Sequence, residues 1–196
     1  MTATAEALMV PREPRILFFD IESTALNATF GTILVIGWKW LGDDEVHISS
    51  ILDKSKKDML NDKHVVERFS RAYNECDYSV SWYGDRFDLP MIRSKIVKYG
   101  LSPLGPKPSL DLWKTSRKYF KTHSNRLAVW QSFLGLPHEK TPLDFDAWLK
   151  AAQGDKASLS YIIEHCDADV RVLEDVFNRF RPYLENEPVR GLITGD

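Results

Sequence analysis

Arg15-Ile16-Leu17-Phe18-Phe19-Asp20-Ile21-Glu22 is the stretch on which the reading of this chain turns. Four consecutive apolar residues, Ile16 to Phe19, specify a strand buried on both faces. The strand then ends in Asp20 and Glu22. Side chains two residues apart on a strand project to the same face, so the two carboxylates stand side by side. A strand running out into water would account for both acids without any function. Held together and buried, they repel each other and need a cation. Carboxylate oxygens favour a hard divalent ion, Mg²⁺ or Mn²⁺, and such a site needs further acids from elsewhere in the chain.

Composition bounds what surrounds that strand. With 196 residues, 43% hydrophobic and six Trp, the chain is read as one globular domain able to bury a core. No apolar run reaches the roughly 18 residues of a membrane span, and residues 1–14 lack the h-region of a signal peptide. No membrane is therefore expected as a partner. Cys76 and Cys166 form no CxxC pattern and are too few for a disulfide framework, so they read as buried thiols in a reducing cytoplasm. The net charge of −2 is unevenly spread. Residues 1–88 and 139–196 each carry −5. Residues 89–138 carry +8, with Arg93, Lys95, Lys98, Lys107, Lys114, Arg117, Lys118, Lys121 and Arg126 against a single acid, Asp111. Solvated helix faces explain part of this; the segregation is also the footprint of a polyanion binder.

Periodicity predicts an antiparallel meander from the first strand, Ile33–Leu41 and Val46–Leu52, with a turn at Gly42-Asp43-Asp44. A helix follows over Asp62–Cys76, then an alternating strand Tyr78–Trp82 and a helix Leu89–Tyr99 closed by Gly100. Pro103–Pro108 reads as a loop. Short helices are predicted at Leu112–Phe120, Asn125–Leu134 and Phe145–Ala152, and a long one over Leu159–Phe180 broken at Pro182. The domain is placed at 15–184, with 1–14 and 185–196 as flexible tails. The fold class is α/β, a mixed sheet flanked by helices.

Further acids fall at telling places. Asp88 precedes Leu89-Pro90, where it serves as a helix N-cap or as a ligand; Asp85 competes with it. Asp169 shares the apolar stripe of the last helix with Val172, Leu173, Val176 and Phe180, while Asp167, Arg171, Glu174, Asp175 and Asn178 are read on the wet face. A carboxylate facing a core raises its pKa or finds a cation. His165 lies one turn before Asp169 on the same face, as packing or as a general base.

These residues together resemble the DEDD superfamily of 3′–5′ exonucleases, which share the ribonuclease H-like fold. The motifs are Phe19-Asp20-Ile21-Glu22-Ser23-Thr24-Ala25-Leu26, Tyr83-Gly84-Asp85-Arg86-Phe87-Asp88-Leu89-Pro90 and His165-Cys166-Asp167-Ala168-Asp169. The likeness runs from about residue 15 to 181 and is nearest to the predicted ribonuclease H-like exonucleases found alone or fused to other nucleic-acid enzymes. It implies a mixed sheet of about five strands and makes Asp20, Glu22, Asp88 and Asp169 the metal ligands, with Asp88 preferred over Asp85. His165 becomes the general base. Members with tyrosine place it four residues before the last Asp and those with histidine five; here histidine stands at tyrosine's spacing.

The resemblance implies hydrolysis of a terminal phosphodiester of DNA or RNA to nucleoside 5′-monophosphates, with two Mg²⁺ or Mn²⁺ ions about 4 Å apart. Leu26 would wedge against the terminal base, with Ser23 and Thr24 beside its sugar. Lys114, Arg117, Lys118 and Lys121 would hold strand phosphates. Trp113, Tyr119 and Phe120 are available for base stacking or for the core. The expected partner is a single-stranded 3′ end, with a polymerase or other nucleic-acid enzyme acting in trans. An endonuclease or resolvase on the same fold, and a nucleic-acid-binding adaptor without turnover, are the alternatives.

Overall fold

In the computed structural model, which describes residues 13–53, 61–137 and 145–184, both faces of the first strand are indeed covered. β1 (Ile16–Ser23) and β2 (Ile33–Trp40) pair antiparallel, and β3 (His47–Ser50) adds antiparallel to β2. After a 3-10 turn at Ile51–Asp53 come α1 (Lys63–Glu75), β4 (Tyr78–Ser81), α2 (Asp88–Tyr99) and β5 (Ser109–Asp111). Four α-helices follow, α3 (Leu112–Tyr119), α4 (Leu127–Leu134), α5 (Phe145–Ala152) and α6 (Lys156–Phe180), and a 3-10 turn at Arg181–Tyr183 succeeds the last. The sheet order is β3-β2-β1-β4-β5, with β4 parallel to β1 and β5 parallel to β4. The fold is the α/β, five-stranded mixed sheet expected.

Alternation along β1 distributes its side chains between two layers. Phe19 packs on Phe69 and Tyr73 of α1, and Leu17 and Ile21 join the same cluster. Phe18 meets Phe177 of α6 edge-on at 5.2 Å. Each such buried side chain contributes roughly 1.5–3 kcal/mol. Asp20 and Glu22 continue the face that carries Phe18, so α6 covers them as well. At Gly37, paired with Asp20, an added Cβ would lie 2.9 Å from Cys166 Sγ and 3.2 Å from Val170 Cγ2. Glycine at this one position lets α6 lie close against the meander.

Several expectations need correction. The third strand is shorter than Val46–Leu52 because residues 51–53 tighten into the 3-10 turn. β5 is a three-residue strand directly after Pro108, a strand that periodicity had not located. α6 starts at Lys156 instead of Leu159, because Asp155 caps it, accepting Ser158 N–H at 2.8 Å and Oγ–H at 2.6 Å. Glu174 is not on a wet face: it ion-pairs with the buried Lys39 of β2 and accepts the Gly42 N–H at 3.0 Å. Lys95 does not belong to an exposed basic surface. It is 2% exposed, pairs at 2.9 Å with Asp62 and donates to Gly31 O at 2.5 Å. Asp62, fully buried, also accepts Ile33 N–H at 2.8 Å and Tyr99 O–H at 2.5 Å. Three elements, β2, α2 and the start of α1, are thereby tied at one carboxylate. Both proposed tails lie outside the described residues except at Glu13 and Pro14. No described helix is long and apolar enough to cross a membrane.

Candidate active site

Three elements converge at the C-terminal end of β1. The strand itself supplies Asp20 and Glu22, and a register shift at Glu22/Ser23 marks a β-bulge there. Bulges re-aim side chains and are over-represented beside active sites. From α2 comes Asp88, which is not the N-cap that local sequence suggests. It is the first helical residue, after Phe87, and its Oδ1 accepts the Ile21 N–H at 3.2 Å across the sheet. Gly84 makes room for it: a Cβ there would sit 2.2 Å from Ser81 Oγ and 3.4 Å from Asp88 Oδ2. Asp85 points elsewhere, accepting from Ser109 Oγ at 2.7 Å and Lys114 Nζ at 2.5 Å.

From α6 come His165 and Asp169, one turn apart. His165 Nε2 lies 3.8 Å from Glu22 Oε1 and 3.7 Å from Asp169 Oδ2. One ligand atom from each of Glu22, His165 and Asp169 falls within 4.8 Å of the other two. Below them Cys166 Sγ approaches the Asp20 carbonyl oxygen at 3.7 Å and Oδ2 at 4.0 Å.

Electrostatics follow from that crowding. Burial, then the charges of Asp88, Glu22 and Asp169, holds the Asp20 carboxyl well above the ordinary range, against the Ile21 amide. Burial and then Asp169 push Glu22 up to about 8, opposed by a hydrogen bond from the Trp148 side chain. Burial raises Asp88 to about 7 despite two amide hydrogen bonds, with Asp111 adding its charge. Burial also holds the Cys166 thiol well above its usual range, helped by Asp20, Glu22 and Asp169. Burial and crowding thus favour the uncharged forms of the Cys166 thiol and of the Asp20, Glu22 and Asp88 carboxyls. Oxygen donors raised by burial and mutual repulsion fit a hard divalent ion, whose charge removes both penalties.

Sequence reasoning missed part of the shell. Trp148 of α5 donates to Glu22 and meets the His165 ring edge-on at 5.6 Å. Gly37, Gly84 and Cys166 set spacing around the acids. Asp111 accepts the N–H groups of Trp113 at 3.0 Å and Tyr83 at 2.8 Å. Tyr83 has a left-handed backbone, φ 67°, which for a bulky residue stores about 1–3 kcal/mol of strain. Adjacent glycine or alternation gave no signal for any of these except the Gly in Tyr83-Gly84.

The expected substrate contacts are distributed more widely. Ser23 Oγ donates to Ala25 O at 2.9 Å, and Thr24 Oγ1 accepts Thr32 N–H at 2.9 Å, so both hydroxyls shape the loop after β1. Leu26 on that loop is 88% exposed. Lys114 pairs with Asp85, Arg117 lies 4.8 Å over the Trp113 ring, and Lys118 lies 4.7 Å over Tyr119. Lys121 lines a groove of about 680 Å³ with Arg126 and Phe133 that includes none of the acids. Phe120 is half-buried against the core, packed on Trp130 and Phe180, and Tyr119 leans on it.

A five-stranded mixed sheet with β2 and β3 antiparallel, β4 and β5 parallel, and acids at the end of the central strand defines a ribonuclease H-like protein. The family model described as the RNase H superfamily matches residues 17–181, and the chain belongs to that superfamily. No curated protein sequence matches it. Among solved structures, the family B DNA polymerase from the hyperthermophilic archaeon Pyrobaculum calidifontis is similar over 93% of this chain, with a TM-score of 0.74 and 15% identity. This chain spans 27% of that polymerase's length, and at that identity the likeness is one of fold.

Proposed function

We propose that this protein is a metal-dependent 3′–5′ exonuclease that hydrolyses the terminal phosphodiester of DNA or RNA and releases nucleoside 5′-monophosphates. The observation that carries this reading is the convergence of Asp20, Glu22, Asp88 and Asp169 with His165 at the end of β1, acids raised by burial and by one another. The resemblance of their three motifs to the DEDD exonucleases supplies the polarity of cutting. Membership of the RNase H superfamily and a fold shared with a DNA polymerase support a nucleic-acid substrate.

Asp20, Glu22, Asp88 and Asp169 would hold two Mg²⁺ or Mn²⁺ ions. When bound, such ions stabilise the attacking and leaving oxygens of a phosphodiester. The chain's own residues do the rest. His165 Nε2, between Glu22 and Asp169, accepts a proton from the attacking water, and the two carboxylates stabilise the imidazolium that results. Trp148 fixes the plane of that ring and the rotamer of Glu22. The exposed Leu26 meets the terminal base, and the exposed cations of α3, Arg117 and Lys118, hold the strand.

The test is digestion of matched 5′-labelled DNA and RNA oligomers with Mn²⁺, in wild type and in Asp20→Asn. Stepwise shortening from the 3′ end with mononucleotide product, absent in the variant, is expected. Internal cuts at early times would instead favour an endonuclease, and tight binding without any turnover an adaptor.

A further inference from the structure

Resting on the nuclease reading above, we propose that Tyr83, backed by Trp113, Arg86 and Arg117, is a stacking site for one base of a single-stranded nucleic acid beside the acidic cluster. Tyr83 stands in a backbone conformation unsuited to its side chain, with φ 67°. Left-handed backbone favours Gly, Asn and Asp, and a large ring there is disfavoured. Yet the Tyr83 backbone is fixed from both sides: its N–H donates to Asp111 Oδ1 at 2.8 Å, and its carbonyl accepts from Arg86 and Phe87 N–H at 3.1 Å each. The core does not require the ring, which is 37% exposed. Strain held in place at a residue the core does not need points to a ligand.

The surroundings specify what kind of ligand. The Tyr83 ring meets Trp113 at 4.8 Å and 71°, so the aromatic surface is built of two rings. Trp113 is flanked by two guanidinium groups, Arg117 at 4.8 Å and Arg86 at 5.9 Å. Among the described residues neither guanidinium makes an ion pair, whereas the neighbouring Lys114 is paired with Asp85. An exposed Tyr83 ring backed by the half-buried Trp113, with delocalised cations beside them, suits a planar base and its flanking phosphates. The place is right as well. Gly84, the next residue, lies against the carboxylate of Asp88, so a base on Tyr83 belongs to the strand whose phosphodiester reaches the acids. Stacking of this type is tolerant of sequence.

The test uses a 5′-fluorescein single-stranded DNA and fluorescence anisotropy, with every protein carrying Asp20→Asn so that binding is read without turnover. Tyr83→Asn suits the left-handed backbone and removes the ring, so its melting temperature should equal or exceed that of the parent. Its affinity should fall about 5- to 150-fold, the range for loss of one base stack. Tyr83→Phe should bind as the parent does. An abasic site moved along the oligomer should weaken the parent at one position and leave Tyr83→Asn indifferent there. Parent-like affinity in Tyr83→Asn, or an abasic scan of the same shape in both proteins, overturns the stacking site. If wild type still degrades the oligomer in Mn²⁺, the nuclease reading survives that outcome. Failure of the parent to bind and of wild type to degrade it would remove both.

Discussion

Asp88 Oδ1 accepts the Ile21 amide at 3.2 Å, which fastens the first turn of α2 to β1 at the residue between Asp20 and Glu22. The bond fixes one carboxylate oxygen and leaves the other, Oδ2, beside Gly84. An acid so placed has its geometry set by the backbone, independently of any ion.

Asp88→Asn retains an oxygen for the Ile21 N–H and loses only charge. The fold should persist, while hydrolysis in Mn²⁺ drops by more than the ~10–100-fold that follows loss of a mere supporting hydrogen bond at a metal site. Asp85→Asn should stay within about threefold of wild type, because Asp85 is occupied by Ser109 and Lys114. The opposite ranking in initial rates would mean that the wrong aspartate has been chosen.

Stability of the metal-free protein should fall as pH rises. Glu22 and Asp88 titrate near 8 and 7 when folded, against ordinary values of 4.5 and 3.8. Between those limits the folded chain binds more protons than the unfolded one, so each unit of pH upward favours unfolding. The stability these groups provide is whole below about pH 4 and lost through pH 7–8. Melting in EDTA should therefore decline from pH 5 to pH 8.5, and saturating Mg²⁺ should flatten the decline. Asp20→Asn should raise the EDTA melting temperature at pH 8 more than at pH 5. A flat EDTA profile would show that burial and crowding do not raise these acids.

Gly37→Ala should damage the site from behind. The new methyl would stand 2.9 Å from Cys166 Sγ and 3.3 Å from Ile48 Cδ1, forcing α6 outward. A cost of about 1–3 kcal/mol is expected from denaturant melts, together with weaker Mn²⁺ binding by calorimetry. Adding Cys166→Ala should recover part of both losses; no recovery would place the strain elsewhere.

His165→Ala should lower turnover on the order of 10²–10⁴, the share of a positioned base, with Mn²⁺ affinity unchanged. His165→Tyr should restore part of the rate, since a hydroxyl can orient the same water. A fall in Mn²⁺ affinity in the alanine variant would make His165 a ligand beside Glu22 and Asp169. A rate within about threefold of wild type would reduce it to packing against Trp148.

Local pattern was sufficient for β1, β2 and the C-terminal end of α2, because apolar period, turn residues and Gly100 agree there. It was insufficient wherever a side chain's partner lies far along the chain. Lys95 counts as a surface cation until Asp62, 33 residues earlier, is seen beneath it. Glu174 reads as solvated until α6 is laid over Lys39. Trp148 looks like one more apolar helical residue, and only the packing of α5 on α6 aims it at Glu22. β5 has three residues, too few for alternation to register.

Asp62 and Lys95 also determine where this chain can be lengthened. They grip Gly31 and Ile33, the end of the loop that leaves β1, and a Cβ on Gly31 would lie 2.7 Å from Asn27 O. The span before it exposes Leu26 at 88% and Phe30 at 82% and is held mainly by its own turn, where Asn27 Oδ1 accepts the Phe30 N–H at 3.2 Å. Insertions between Leu26 and Phe30 should therefore be accepted as surface changes that vary reach toward a substrate. One residue added after Gly31 would shift the register of β2 and move every core side chain of that strand to its other face.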